Sequence, residues 1–213
     1  MILYGNSASP YVRKTLAFAA EKAMPLELVA AGLGGGPPEF KLASPFGKMP
    51  AFQDGDFMLA DSTAIITYLD AVQPEPNLIP LAPKARAKTI WWEEFADTIL
   101  IGCMGKMFFN RVVAPRFLGR EGDLAAADAA EKNELPPLLD YLEASIAASG
   151  FLVEDRLTLA DLAVASPFQN MALCGVVPDA ARYPKITAFV DAILGRPSFA
   201  GWCEQERKIF GVT

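Results

Sequence analysis

Two serines at the end of the first apolar run set the chemistry open to this chain. Residues 5–13 read Gly-Asn-Ser-Ala-Ser-Pro-Tyr-Val-Arg, so Ser7 and Ser9 stand where a strand gives way to a helix. A proline early in a helix fits its first turn, and the serine just before it is a natural N-cap. The same geometry suits a second role: a hydroxyl beside the positive end of a helix can donate to an incoming thiolate and favour it over the thiol. Only roughly a few per cent of a free thiol is ionised at neutral pH, so that shift supplies a nucleophile. Histidine is absent from the sequence, which removes Ser-His, Cys-His and His-metal mechanisms together.

A second constellation occupies residues 44–65. It combines a Met49–Pro50 bond, a tight Asp54–Gly55 turn between two short apolar strands, and an Asp61–Ser62 pair where the next helix begins. Proline cannot donate to a sheet ladder, so it belongs at the first residue of an edge strand, and X–Pro bonds are the realistic setting for a cis peptide. Met49 then points its own N–H and C=O outward. Asp61 and Ser62 place a carboxylate and a hydroxyl beside the free N–H groups of a helix start. That site suits the carboxylate end of a zwitterion, whose ammonium pairs with the aspartate. Together these residues describe a cradle for an amino-acid-like group.

Positioning both sets takes a small α/β unit: a strand at Ile2 to Tyr4, a helix from about Pro10 to Lys22, a strand at Leu26 to Val29, the two strands around Asp54–Gly55, and a helix from Asp61. Gly34-Gly35-Gly36 lacks the Lys-Ser/Thr of a phosphate loop, is followed by two prolines, and reads as a flexible loop. Residues 73–83 hold four prolines in eleven positions, which neither helix nor central strand tolerates well, and the domain linker is placed there. Beyond it the pattern is helical only, over about 84–118, 125–148, 159–174, 183–194 and 199–207, with breaks at Gly150, Pro178 and Pro197. Thr158 and Asp161, three apart before an apolar run, form a capping-box arrangement with Asp in place of the usual Glu, so Asp161 is read as structural. The fold class is therefore α/β followed by all-α, with boundaries at 1–74, 75–83 and 84–213.

Composition narrows the partner. At 213 residues and 52% apolar content the chain can build real cores, as one large domain or two small ones. A formal charge of −6 disfavours nucleic acid or an anionic membrane and leaves a small molecule as the better partner. No run reaches the ~18 apolar residues of a spanning helix, and the N-terminus opens a strand without a basic leader, so a cytoplasmic location is expected. Cys103, Cys174 and Cys203 are odd in number and far apart, which points to buried free thiols rather than a disulfide framework or a redox pair.

An opening strand with Ser-Pro-x-x-Arg, an apolar-x-Pro edge, an Asp-Ser helix start, a proline-rich linker and an all-helical second half resemble the cytosolic glutathione transferases, serine type, over essentially the whole chain. The resemblance implies a thioredoxin-like domain that binds glutathione as co-substrate, no metal, a homodimer, and a small hydrophobic electrophile as second substrate. Carried over by residue, Ser9, four before Arg13, is the activating hydroxyl, with Ser7 in reserve. Met49 pairs its backbone with the cysteinyl unit, Pro50 is the cis-proline that exposes it, Asp61 and Ser62 hold the γ-glutamyl end, and Lys48 meets the glycyl carboxylate. Where cysteine-type members carry a reactive cysteine this chain has serines and alanine, so conjugation or elimination is expected over disulfide exchange. Tyr4 reads as core. The electrophile site is expected between the domains, lined by Tyr11, Met104, Met107, Phe108, Arg111 and Phe168, and Asp97 is a candidate to reach across the dimer. Two other readings accompany this one: a glutathione-dependent isomerase, dehalogenase or ether lyase on the same fold, or a non-catalytic binding module.

Overall fold

The structure is a computed structural model that describes residues 1–33 and 35–212. Four short strands form its sheet: β1 (Ile2–Gly5), β2 (Glu27–Ala30), β3 (Ala51–Asp54) and β4 (Phe57–Ala60), in the order β2-β1-β3-β4. β1 runs parallel to β2, a pairing that needs a crossover, and α1 (Pro10–Glu21) supplies it. β3 is antiparallel to both β1 and β4, the latter through the Gly55 turn, whose φ of 61° suits glycine. Because side chains alternate across a sheet, the paired Leu3 and Phe52 face one side and the paired Tyr4 and Ala51 the other. Leu3 and Phe52 join the main core with α1 and with α3 (Ser62–Val72). Tyr4 and Ala51 pack on Phe40 and Ala43 of α2 (Pro38–Ala43). Tyr4 is thus a core residue.

α2 was not expected from the sequence, where glycines and prolines suggested only a loop. Of that loop, Gly34 lies outside the described residues. Gly32 and Gly35 exchange backbone hydrogen bonds of 2.8 Å in both directions, and Pro38 starts the helix at its first position, where a missing N–H costs nothing.

Between the two halves, residues 73–76 are fastened by one side chain. Lys22, only 1% exposed, donates to the carbonyls of Gln73 (2.7 Å), Pro74 (3.2 Å) and Pro76 (2.8 Å) and pairs with Asp70 at 2.8 Å. A proline-rich segment has few amide donors of its own, so the ammonium satisfies carbonyls that regular structure would otherwise have paired.

The helical half begins with one continuous run: α4 (Pro83–Glu94), a π-helical turn (Phe95–Leu100), α5 (Ile101–Phe108), a second π turn (Phe109–Val113) and α6 (Ala114–Phe117). α7 (Leu124–Ala129) passes through a third such turn (Ala130–Glu134) into α8 (Leu135–Ser145). α9 (Leu159–Leu173), apolar but for Asp161, Ser166, Gln169 and Asn170, is buried almost throughout and packs against α1, α4, α5 and α10 (Pro184–Leu194). The last helix, α11 (Pro197–Phe210), is longer than the expected 199–207. Pro197 opens it at the first position instead of breaking the chain, and Gly211 closes it in the left-handed region. Among the described residues no helix is long and apolar enough to cross a membrane.

Asp161 anchors the start of α9. Its Oδ2 accepts from the Thr158 N–H (2.8 Å) and hydroxyl (3.0 Å), and its Oδ1 accepts from the Leu152 N–H (2.9 Å). The neighbouring Leu159 N–H donates to Leu78 O at 2.9 Å, which joins α9 to the interdomain segment. Asp161→Ala strands these donors in the interior and is expected to cost about 2–4 kcal/mol, measured by urea unfolding with an unchanged slope.

Candidate functional site

Strand register gathers the chemistry-bearing residues at one end of the sheet. Tyr4 pairs with Ala51 and Ala51 with Ala60, so the exit of β1, the entry to β3 and the exit of β4 lie side by side. From these three points emerge the Ser7–Ser9 loop, Lys48-Met49-Pro50 and Asp61-Ser62. The Met49–Pro50 peptide is cis, and Met49 precedes the ladder, which starts at Ala51. The Ser44 hydroxyl donates to Lys48 O at 2.6 Å, while the Lys48 side chain is exposed. Opposite, Gly32 leaves room for the Met49 side chain, because a Cβ there would meet its sulfur at 2.8 Å.

Asp61 occupies a backbone conformation rare outside glycine, φ 84° and ψ 128°. The surroundings hold it there: Asp61 Oδ1 accepts from Thr63 N–H (2.9 Å) and Ala64 N–H (3.1 Å), and its carbonyl accepts from Ile65 N–H (3.0 Å). Asp61 is exposed, whereas Ser62 is buried at the first position of α3. One carboxylate oxygen therefore caps the helix and the other faces outward without a hydrogen bond among the described residues. A carboxylate beside helix N–H groups fits the two ends of an α-amino acid.

Ser9 holds the N-cap position of α1, yet its side chain makes no capping hydrogen bond. It is half-buried, and Ser7 is buried. Tyr11 is already committed, since its hydroxyl donates to Asp97 O at 2.9 Å. Burial, with Asp97 and Asp61 adding to it, raises the Tyr11 phenol above its usual range and keeps it protonated. Burial likewise pushes the Cys103 thiol up to about 11, Cys174 up to about 12 and Cys203 above its ordinary value. Burial thus holds all three thiols above their usual range, and Ser7 and Ser9 are the hydroxyls of this loop.

Beside the serine loop lies an apolar patch made by Ala8, Phe108, Val112, Leu173 and Phe210. Phe210 is held from α6, where Arg116 donates to its carbonyl at 2.9 Å and lies 5.9 Å from its ring. Three residues expected to line an electrophile site do not. Met104, Met107 and Phe168 are at most 2% exposed and belong to the core. Helical spacing marked an apolar stripe correctly, but its buried edge meets α9 rather than a cleft. Phe168 lies on the face of α9 opposite Ser166 and Asn170 and borders a hollow of about 350 Å³ shared with Val176, Val190 and Leu194. Arg111 ion-pairs with Asp128 (2.7 Å) and Glu131 (2.5 Å). Phe108 and Tyr11 remain beside the loop.

Asp97 lies under the other flank, within the first π turn. Its carboxylate pairs with Lys14 of its own chain at 2.5 Å, and Lys14 also reaches Glu93 at 2.8 Å. Glu93 in turn accepts from the Thr63 hydroxyl at 2.9 Å, which ties α4 to the start of α3. Among the described residues no group of three or more Cys, Asp or Glu side chains could hold a metal ion.

Sequence reasoning missed the partners that α9 and α11 bring to the serine loop and to Arg13 behind it: Ser166 and Asn170 for the loop and the start of α1, and Glu206 for Arg13. They lie more than a hundred and fifty positions away. A signal did exist: Ser166 and Asn170 are polar residues four apart, on one face of a mostly apolar helix.

Residues 3–77 match the glutathione S-transferase N-terminal domain and residues 112–206 the glutathione S-transferase C-terminal domain. The chain belongs to the cytosolic glutathione S-transferase superfamily, with a thioredoxin-like first half and a helical second half. It is 31% identical to a glutathione S-transferase of Hyoscyamus muticus, over 94% of this chain and 96% of that one. A glutathione S-transferase structure from Rhodospirillum rubrum F11 superimposes with a TM-score of 0.85 at 25% identity, covering 94% and 90% of the two chains. The theta class glutathione S-transferase of Xanthomonas axonopodis pv. citri, solved with glutathione bound, superimposes at 0.79 with 27% identity, covering 93% and 94%.

Burial raises the Asp97 carboxyl to about 6; Lys14 opposes this, while Glu93 and Glu94 reinforce it. The folded state therefore holds this proton more tightly than the unfolded chain does. Its stabilising contribution is complete below the ordinary value of 3.8 and is lost as pH rises through about 6. Melting wild type and Asp97→Asn side by side is expected to show wild-type stability, relative to the variant, falling over that interval and level above it.

Proposed function

We propose that the protein is a glutathione transferase: residues 1–74 bind glutathione, a serine hydroxyl stabilises its thiolate, and the thiolate attacks a hydrophobic electrophile beside the helical domain, 84–213. The observation that carries this reading is the meeting, at one sheet end, of an outward carboxylate at a helix start, a cis-proline edge and two hydroxyls without a hydrogen-bond partner among the described residues. Asp61 pairs with the γ-glutamyl ammonium and the Ser62 end of α3 receives its carboxylate. The Met49 backbone continues the sheet onto the cysteinyl unit, and Lys48 meets the glycyl carboxylate. The glutathione bound in the Xanthomonas relative supports the same ligand here.

The activation step needs no general base. Ser9, beside the N-terminus of α1, donates a hydrogen bond to sulfur and lowers the thiol pKa, so the proton passes to solvent before attack; Ser7 is the reserve donor. Sulfur then forms a bond to the electrophilic carbon, and a leaving group departs or a strained ring opens. Tyr11, Phe108 and Arg111 border this second site, where the partly buried Ala8 and Phe108 offer apolar surface above the buried Val112, Leu173 and Phe210. The protein acts as a cytoplasmic homodimer.

Calorimetry is expected to show glutathione binding, and its absence at millimolar ligand would remove the enzyme reading. Ser9→Ala is expected to lower kcat/KM for an aryl halide about 10²-fold and to raise the apparent pKa of bound glutathione, with little change in Kd. Equal thiolate absorbance in wild type and Ser9→Ala transfers the role to Ser7. Asp61→Asn is expected to weaken glutathione binding about tenfold without moving the pKa of the bound thiol.

A further inference from the structure

Backbone carbonyls are acceptors, and any that faced a bound sulfur would repel a thiolate. In the serine loop they are turned elsewhere. Asn6 O accepts from Ser9 N–H (2.9 Å), Ser7 O from Arg13 Nη1 (3.1 Å), Ala8 O from Asn170 Nδ2 (2.7 Å), Ser9 O from Arg13 N–H (2.9 Å) and Pro10 O from the Ser166 hydroxyl (2.8 Å). Five consecutive carbonyls thus have donors, and those of Ser7, Ala8 and Pro10 use side-chain ones.

Both peptide planes that flank Ser9 are fixed. The plane entering it is gripped at each end, its C=O by Asn170 and its N–H by Asn6 O; the plane leaving it is held by Arg13 N–H. Only side-chain rotation is left to the Ser9 hydroxyl. Asn170 is itself oriented, because its Oδ1 accepts from Arg13 Nη2, and arginine has donors only, so the amide nitrogen must face Ala8 O. Arg13 is fully buried and neutralised by Glu206 at 2.7 Å. Asn170 is 2% exposed, so its amide reaches the half-buried Ala8 from the interior side of the loop.

We infer that Asn170 is a positioning residue: acting through the Ala8–Ser9 peptide, it aims the Ser9 hydroxyl at the substrate sulfur and keeps a carbonyl away from it. This rests on the glutathione reading given above. Asn170 supplies direction rather than affinity, since it contributes nothing to the strand-end cradle.

The test is a thiolate absorbance titration of bound glutathione in wild type, Asn170→Ala, Ser9→Ala and the double variant, with calorimetric Kd for each. Asn170→Ala is expected to leave about tenfold less thiolate at neutral pH, a shift of about one unit in the bound thiol, with Kd within about threefold. In the Ser9→Ala background the same change is expected to have no further effect, the non-additivity of groups acting through one another. Gln169→Ala is the control, because this equally buried neighbour donates to Cys203 O rather than to the loop and is expected to leave the titration unmoved. Asn170→Asp keeps the acceptor for Arg13 and removes the donor to Ala8, so it carries the same expectation if the alanine variant does not fold. A wild-type titration with an unmoved Asn170 variant, or an equal shift with and without Ser9, overturns this inference alone. A wild type that binds no glutathione overturns the functional reading and this inference with it.

Discussion

A guanidinium with no access to water needs a partner for its charge and acceptors for its N–H groups, and Arg13 obtains them for both terminal nitrogens, though not for Nε, from three parts of the chain. Glu206 of α11 neutralises it, Ser166 O and Asn170 Oδ1 of α9 accept from one nitrogen, and Ser7 O accepts from the other. Removing one member of such a buried pair costs on the order of 3–5 kcal/mol, because the remaining charge is left uncompensated. The interaction is therefore as much a constraint as an attraction. α1, α9, α11 and the serine loop have to sit where these groups meet, and the domain interface is specified by polar geometry as well as by apolar area.

The same solution recurs around α1. Lys14 is answered by Glu93 and Asp97 from the first helical run, and Lys22, just past the helix, by Asp70 and the linker carbonyls. Three buried cations thus each find an acid from a different element. Apolar burial of Val12, Leu16 and Ala19 fastens α1 to its surroundings without choosing one alignment sharply; the ion pairs supply the choice. Asp97 lies in a π turn, where the widened helix admits an extra residue on the side facing Lys14.

What could be read from the sequence was whatever is encoded locally. Pro10 marks the start of α1, Met49–Pro50 the edge of β3, Asp54–Gly55 the hairpin, and Thr158 with Asp161 the start of α9, each because one or two residues dictate a backbone conformation. α2 was hidden because Gly and Pro suggested a flexible loop, although Pro38 with Phe40 and Ala43 three apart is a short amphipathic start. The electrophile wall was misread at Met104, Met107 and Phe168 for another reason. Periodicity tells which side chains share a face, and only the packing of α9 tells what that face meets. The hold of Asn170 on the serine loop, and of Glu206 on the Arg13 behind it, depends on tertiary placement alone, so no window of sequence contains it.

The state of the cysteines bears on durability. Alkylation of a thiol proceeds through its thiolate, and burial keeps Cys103, Cys174 and Cys203 in the neutral form. In the proposed chemistry the only activated sulfur therefore belongs to a diffusible tripeptide. Under that proposal an aggressive electrophile is consumed on a molecule that leaves with the product, while the neutral thiols of the scaffold are poor targets for it.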